Sequence, residues 1–154
     1  MSNFTEVSRL NEIMGNRKGC AVNNPNRAFS QFLLITEEME ELKAAFEYGR
    51  FADVRDAIAD VLVTTYGLAH ILGIDADKDM EEVQQSNLSK LCTTEAEATE
   101  TIESYDRIGV KVSTRGEAPE IVIVSNCDQS DIKGKFYPAG KFLKCVNWFE
   151  PELK

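Results

Sequence analysis

The twenty residues from Asp53 to Leu72, DVRDAIADVLVTTYGLAHIL, read as a helix that is apolar almost all the way round. A surface helix keeps one polar face, whereas a helix of this kind needs apolar partners on every side. The chain is therefore expected to fold as a set of helices gathered about this one. Within it, Asp56 and Asp60 stand four apart and share a face with Val63 and Gly67, with Asp53 close to the same face. Asp60 is set among Ile58, Val61, Leu62 and Val63, so its carboxylate is expected to lie deep. A buried carboxylate has to be paired, protonated or bound to metal. Arg55 is the only cation inside the stretch, and it points elsewhere.

The preceding helix poses the same problem. ITEEMEEL, residues 35 to 42, places four glutamates in eight positions with no cation among them. At about 100° per residue, Ile35, Met39, Leu42 and Phe46 make the apolar stripe. Glu38 lies closest to its edge, then Glu41 and Glu37, while Glu40 points away. Two helices that each present carboxylates at the border of a core can form an oxygen-only cage, which suits Mg²⁺ or Mn²⁺ rather than zinc. The competing reading is a solvated acidic face neutralised by Arg or Lys from elsewhere. A carboxylate-bridged di-iron bundle needs Glu-x-x-His on two helices. With the single histidine His70 preceded three residues earlier by Gly67, that site is excluded.

Around this pair, Phe4 to Met14 has a helical period ended by Gly15, and GNRKGCAVNNPNR follows as a loop. The acidic helix is expected from about Ala28 to Tyr48. A fourth follows over Asp79 to Leu91, and a fifth within TTEAEATETIESYDRIG, opened by a Thr cap. Beyond Val110 the texture turns β-rich: VKVST, EIVIVS, then GKFYPAGKFLKCVNWFEP with aromatic segments cut by Gly and Pro. The expected architecture is mainly α: a four-helix core over 1–92, and a C-terminal extension over 93–154, a helix plus short strands, packed on it.

Composition narrows the function. A net charge of −9 argues against a nucleic-acid polymer as main partner. No signal-peptide pattern is evident in MSNFTEVSRLNEIMG, so none is expected, and no apolar run approaches membrane-spanning length. Four scattered cysteines without a CxxC pair fit reduced thiols, small buried hydrophobes in a cytoplasmic protein. No GxxxxGK[ST] loop is present, so phosphates would be held by metal and scattered cations such as Arg17, Lys18 and Arg27. Gly67 is read first as a close-packing position, His70 as a hydrogen-bonded helix-end residue, and Trp148 with Phe149 as tail anchors.

EEMEEL, DAIADVLVTTYGLAHILGID and VQQSNLSKL together resemble the MazG-like, all-α nucleoside triphosphate pyrophosphatases, relatives of dimeric dUTPases and dCTPases. The resemblance covers about Glu6 to Leu91. It implies hydrolysis of a nucleoside triphosphate to the monophosphate and pyrophosphate with a divalent metal. It further implies Glu38, Glu41 and Asp60 as metal ligands, Glu37 beside Glu38 in activating the attacking water, and Asn87 and Lys90 as nucleotide contacts. The family pattern has Glu three residues before Asp60, where this chain has Ala57; Asp56 is the expected substitute. The tail resembles an extension carried by some members, often from phages.

The expected function is therefore metal-dependent hydrolysis of a nucleoside triphosphate, taken as a deoxynucleotide, at the α–β bond. The alternatives are a phosphoribosyl-ATP pyrophosphohydrolase-like enzyme and a non-catalytic acidic helical interaction module. The apolar Asp53–Leu72 helix, with only four short core helices to cover it, leads us to expect a homodimer or homotetramer.

Overall fold

The computed structural model describes residues 1–153, and the fold is mainly α, with five helices followed by small antiparallel strands. The helices are α1 (Asn3–Ile13), α2 (Pro25–Tyr48), α3 (Phe51–Leu72), α4 (Ala76–Leu88) and α5 (Glu95–Arg107). Strands β1 (Val112–Arg115) and β2 (Val122–Ser125) pair in register Val112 to Ser125, and β3 (Gln129–Ser130) pairs with β4 (Phe136–Tyr137). No single helix among the described residues is long and apolar enough to cross a membrane.

Local chemistry sets the helix ends. Ser2 caps α1 by accepting the Thr5 N–H at 3.0 Å. Helix α2 starts before the expected Ala28, because Pro25 occupies its first turn and Asn24 accepts the Arg27 N–H. Helix α4 runs earlier than the expected Asp79–Leu91: the Asp75 carboxylate accepts the Lys78 N–H and starts it, and it ends at Leu88. Thr94 caps α5, accepting the Glu97 N–H at 3.2 Å.

The chain packs as two compact units that divide within α4, the first Met1–Asp79 and the second from Met80 on. In the first, α1 and α2 both pack on α3, and the loop after α1 is pinned to its C-terminal end, where Gly19 and Ala21 donate to the His70 and Ile71 carbonyls. Two expectations change here. Helix α3 is not covered all round: Ala57, Gly67, His70 and Ile71 are buried, while Ile58, Leu62 and Val63 stay at least 40% exposed. The packed line of α2 is also rotated from the expected stripe. Ala28, Gln31, Ile35, Glu38, Leu42 and Ala45 are the half-buried positions, and Met39 and Phe46 are exposed. Both changes have one cause: the chain by itself gives α2 a single partner helix, α3.

In the second unit, Cys92, Ala98, Val110, Ile121, Ile123, Tyr137, Leu143 and Cys145 form the core. Residues 141–143 run along the free edge of β2, through bonds from Ser125 N–H to Lys141 and from Leu143 N–H to Ile123. The tail is tied to α4 by Ser86, which donates to the Phe149 carbonyl, and by Ser89, which accepts the Phe149 N–H. All four cysteines are free thiols; Cys92 and Cys145 are buried, but Cys20 and Cys127 are exposed, contrary to expectation.

Candidate active site in the acidic helical hairpin

Helices α2 and α3 are joined by only Gly49 and Arg50. A connection this short makes neighbours antiparallel. Gln31 therefore reaches the far end of α3, donating to the Thr64 carbonyl at 3.2 Å, while the acidic part of α2 lies beside the first half of α3. Between them opens a cleft of about 370 Å³ lined by Glu41, Ala44, Ala45, Tyr48, Asp56, Ala57 and Asp60, among others. Ala57, where the family resemblance would place Glu, is buried in the cleft wall.

Glu38 stands on the packed line of α2, deeper than the edge position expected from the wheel. Partial desolvation, then the carboxylates of Glu41, Asp60 and Glu37, push its carboxyl above the ordinary range. Glu41 and Asp60, expected with Glu38 as ligands, and Glu37, expected at the water, are thus each close enough to Glu38 to repel it. Asp60 is half-buried rather than deep, since no third helix closes over it; Asp56 is exposed on the same cleft. Asp53, at the cleft's end, has a different role. It accepts the Arg50 backbone N–H at 3.0 Å and the guanidinium at 3.3 Å, which hold its carboxyl below the ordinary range and cap α3.

An all-carboxylate set offers the hard oxygen donors that Mg²⁺ and Mn²⁺ prefer. The chemistry of the donors fits a hard dication. The geometry is open: among the described residues, no three His, Cys, Asp or Glu side chains converge closely enough to hold an ion as they stand. Glu41 and Asp56, both exposed, are the side chains with room to turn inward.

The structure does not bring every candidate to this cleft. Arg17, Lys18 and Arg27 lie by the loop pinned at the opposite end of α3, roughly 15 Å along the helix from Asp60 at 1.5 Å per residue. Lys18 sits 5.9 Å from the centre of the Phe4 ring, and Arg27 donates to Asn16. Asn87 and Lys90 belong to the second unit. Lys90 lies past the end of α4, in a turn where its ammonium donates to Asn87 Oδ1 at 2.6 Å. Gly67 is a packing position: a Cβ there would come within 3.1 Å of Gln31 Nε2. His70 is fully buried, its Nε2–H donating to the Asn16 carbonyl at 2.8 Å and its Nδ1 accepting from Ser8 at 2.7 Å. It ties α1, the loop and α3 together.

Comparison with known proteins agrees with this hairpin. An uncharacterized protein of Acanthamoeba polyphaga mimivirus is similar, 43% identical over 53 residues, which are 34% of this chain and 21% of that protein. The chain thus spans about a fifth of the length of that relative. The model of the phosphoribosyl-ATP pyrophosphohydrolase family matches residues 7–87, a little over half of the sequence and all of α2 and α3. That family lies within the MazG-like, all-α pyrophosphatase superfamily and consists of nucleotide pyrophosphohydrolases. With its acidic hairpin inside the matched span, the chain belongs to the phosphoribosyl-ATP pyrophosphohydrolase family.

Proposed function

We propose that this protein hydrolyses the α–β phosphoanhydride of a nucleoside triphosphate, releasing pyrophosphate, in the cleft between α2 and α3. The observation that carries the reading is the meeting of carboxylates from two helices around Glu38, where Glu41 and Asp60 add to desolvation, the larger cause, in raising its carboxyl. Clustered like charge is unfavourable by itself and is maintained where a cationic ligand reverses the balance. Family membership supports the reaction class and makes the non-catalytic interaction module the weaker alternative.

Glu38, Glu41, Asp56 and Asp60 would hold Mg²⁺ or Mn²⁺, which when bound supplies charge neutralisation at the triphosphate and acidifies water. Glu37, exposed one residue from Glu38, would orient or deprotonate that water. The buried methyl of Ala57 leaves room in the cleft wall where a longer side chain would intrude. Asn87, Lys90, Arg17, Lys18 and Arg27 remain proposed nucleotide contacts. Their local bonds, Lys90 to Asn87 and Arg27 to Asn16, would have to open or be shared on binding. The exposed apolar residues of α2 and α3 support a homo-oligomer, dimer or tetramer, as the working assembly.

Two substrates fit this chemistry. A deoxynucleoside triphosphate is our reading from the likeness to dUTPase and dCTPase relatives, while the matched family favours phosphoribosyl-ATP equally. Both carry a 5′-triphosphate on a pentose, so the hydrolytic step is the same. The test is a panel of canonical dNTPs and NTPs with phosphoribosyl-ATP, each with Mg²⁺, assayed for pyrophosphate and for the nucleotide product. Turnover of a dNTP alone supports the first reading, and turnover of phosphoribosyl-ATP alone the second. Release of orthophosphate in place of pyrophosphate would overturn both.

A further inference from the structure

The net charge of −9 is unevenly distributed: residues 1–109 carry −10 and residues 110–154 carry +1. Between Asp131 and Glu150 there is no acidic residue, but there are four lysines and five aromatics. The segment contains a short repeat, GKFY at 134–137 and GKFL at 140–143. Each copy opens on a glycine with positive φ, +83° at Gly134 and +74° at Gly140, a conformation that suits glycine at a turn. Each then presents a lysine, an exposed phenylalanine and a core residue. Tyr137 and Leu143 point into the core, so strand alternation turns Phe136 and Phe142 outward, where they are 56% and 64% exposed.

The lysines are organised by the rings. The Lys135 and Lys141 ammoniums lie 5.3 and 5.8 Å from the centre of the one Tyr137 ring, and that of Lys144 lies 3.0 Å from the Trp148 ring centre. Tyr137 meets Tyr105 edge-on at 6.3 Å, and the Tyr105 hydroxyl is bonded to the Lys144 backbone, which joins the two groups into one surface. The carboxylates bonded to the segment are already engaged: Asp131 accepts the Lys133 and Lys135 N–H groups and the Tyr137 hydroxyl, Asp128 accepts the Ala139 N–H, and Glu97 accepts from the Asn147 amide.

We propose that this face of the tail binds single-stranded nucleic acid, with Lys135, Lys141 and Lys144 on phosphates and the exposed phenylalanine rings against bases. A lysine–phenylalanine unit repeated along the chain matches a polymer that repeats phosphate and base, and stacking on aromatic rings tolerates any base. Whole-chain charge weighs little against this, because a strand engages the patch locally within a Debye length of about 10 Å. An anionic membrane is the poorer fit. It would present a broad negative plane to a chain that is −10 outside the tail, and the segment has no amphipathic helix to lie in the interface. The proposal does not depend on which nucleotide the cleft hydrolyses.

The test uses the full chain in EDTA and a fluorescein-labelled oligo(dT) of about a dozen nucleotides, followed by anisotropy. Saturable binding at low salt is expected, with a slope of log affinity against log salt of about −2, from three phosphates at about −0.7 each. Lys135→Glu with Lys141→Glu should weaken it tenfold or more without moving Tm or pyrophosphate release. The milder Lys135→Gln with Lys141→Gln pair should bring the slope to about −0.7. Phe136→Ala with Phe142→Ala should weaken oligonucleotide binding and leave inorganic polyphosphate binding unchanged. The proposal is overturned by no binding at low salt, by binding indifferent to the lysine changes, or by polyphosphate binding as tight as DNA with no effect of the phenylalanines. Tighter binding to phosphatidylserine vesicles than to the oligonucleotide would assign the face to a membrane instead.

Discussion

At the residue scale the proposed chemistry rests on Glu38 and Asp60, which are half-buried and whose charges interact across two helices. Glu38→Gln or Asp60→Asn should each abolish pyrophosphate release while leaving the metal-free Tm unchanged or raised, since each removes a repelling charge. In the wild type, Mg²⁺ at a hundred times its Kd should stabilise by about 2.7 kcal/mol through mass action. The same titration of Asp60→Asn should give little shift. Near-wild-type activity in both variants would remove these residues from the site. Glu40→Gln is the control, because Glu40 is exposed and its nearest cation is Lys43 at 3.9 Å. His70→Ala should behave in the opposite way to the carboxylate changes. It leaves Ser8 and the Asn16 carbonyl without their partner in a closed site, costing about 2–4 kcal/mol, seen as a lower Tm. Pyrophosphate release by the fraction still folded should be retained.

At the scale of elements, the sequence carried the helices well and their surroundings less well. Glycine, proline and Ser/Thr/Asn/Asp caps are local signals, so all five helices and the β-rich tail were legible. Pro25 and Asp75 moved two starts by a few residues because a cap competes with periodicity for the boundary. The face of α2 was misjudged for a different reason. Met39 and Phe46 are as apolar as Ile35 and Leu42, and only the direction of α3 decides which line is packed. The acidic clusters were visible as composition, but the pairing of Asp53 with Arg50 was not, since it depends on the turn geometry. Helix α5 offers a test of such capping. Glu97 accepts the Thr93 N–H at 2.6 Å and its hydroxyl at 2.9 Å, and these bonds depress its carboxyl; backbone N–H groups of Lys135 and Lys133 depress Asp131 likewise. A depressed carboxyl contributes stability above its unfolded value, about 4.3 for Glu and 3.9 for Asp, and loses it as pH falls through the folded value. Fluorescence of Trp148, the single tryptophan, should therefore report loss of the second unit below about pH 4.3. Glu97→Gln should flatten that acid limb while lowering stability at neutral pH.

For the whole molecule, the feature with the widest reach is the bare outer side of α2. None of its 24 residues is buried, and Phe29, Phe32, Leu33, Met39 and Phe46 are each half or more exposed. Single exposed apolar residues are ordinary, but a row of this length on one helix supports the proposed oligomer. Sedimentation should find a dimer or tetramer, and Phe32→Arg should shift it toward monomer with a lower Tm. A wild-type monomer at tens of micromolar would end the oligomer reading. The tail is built differently, its core closed by α5 against β1 and β2, which is why its exposed residues include lysines among the aromatics.

The two-residue link between α2 and α3 also has a kinetic consequence. Contacts across a hairpin this tight are close in sequence, so they form early, at little loop-closure cost. Gly49 permits the tightness: a Cβ on it would stand 2.4 Å from the Ala45 carbonyl oxygen, so Gly49→Ala should slow the hairpin's closure. If the hairpin is part of the folding nucleus, Glu38 and Asp60 already repel each other at the barrier, and the future site is an obstacle on the way to the native state. Neutralising Glu38 would then quicken folding and leave unfolding almost unchanged, a difference that stopped-flow chevrons resolve directly.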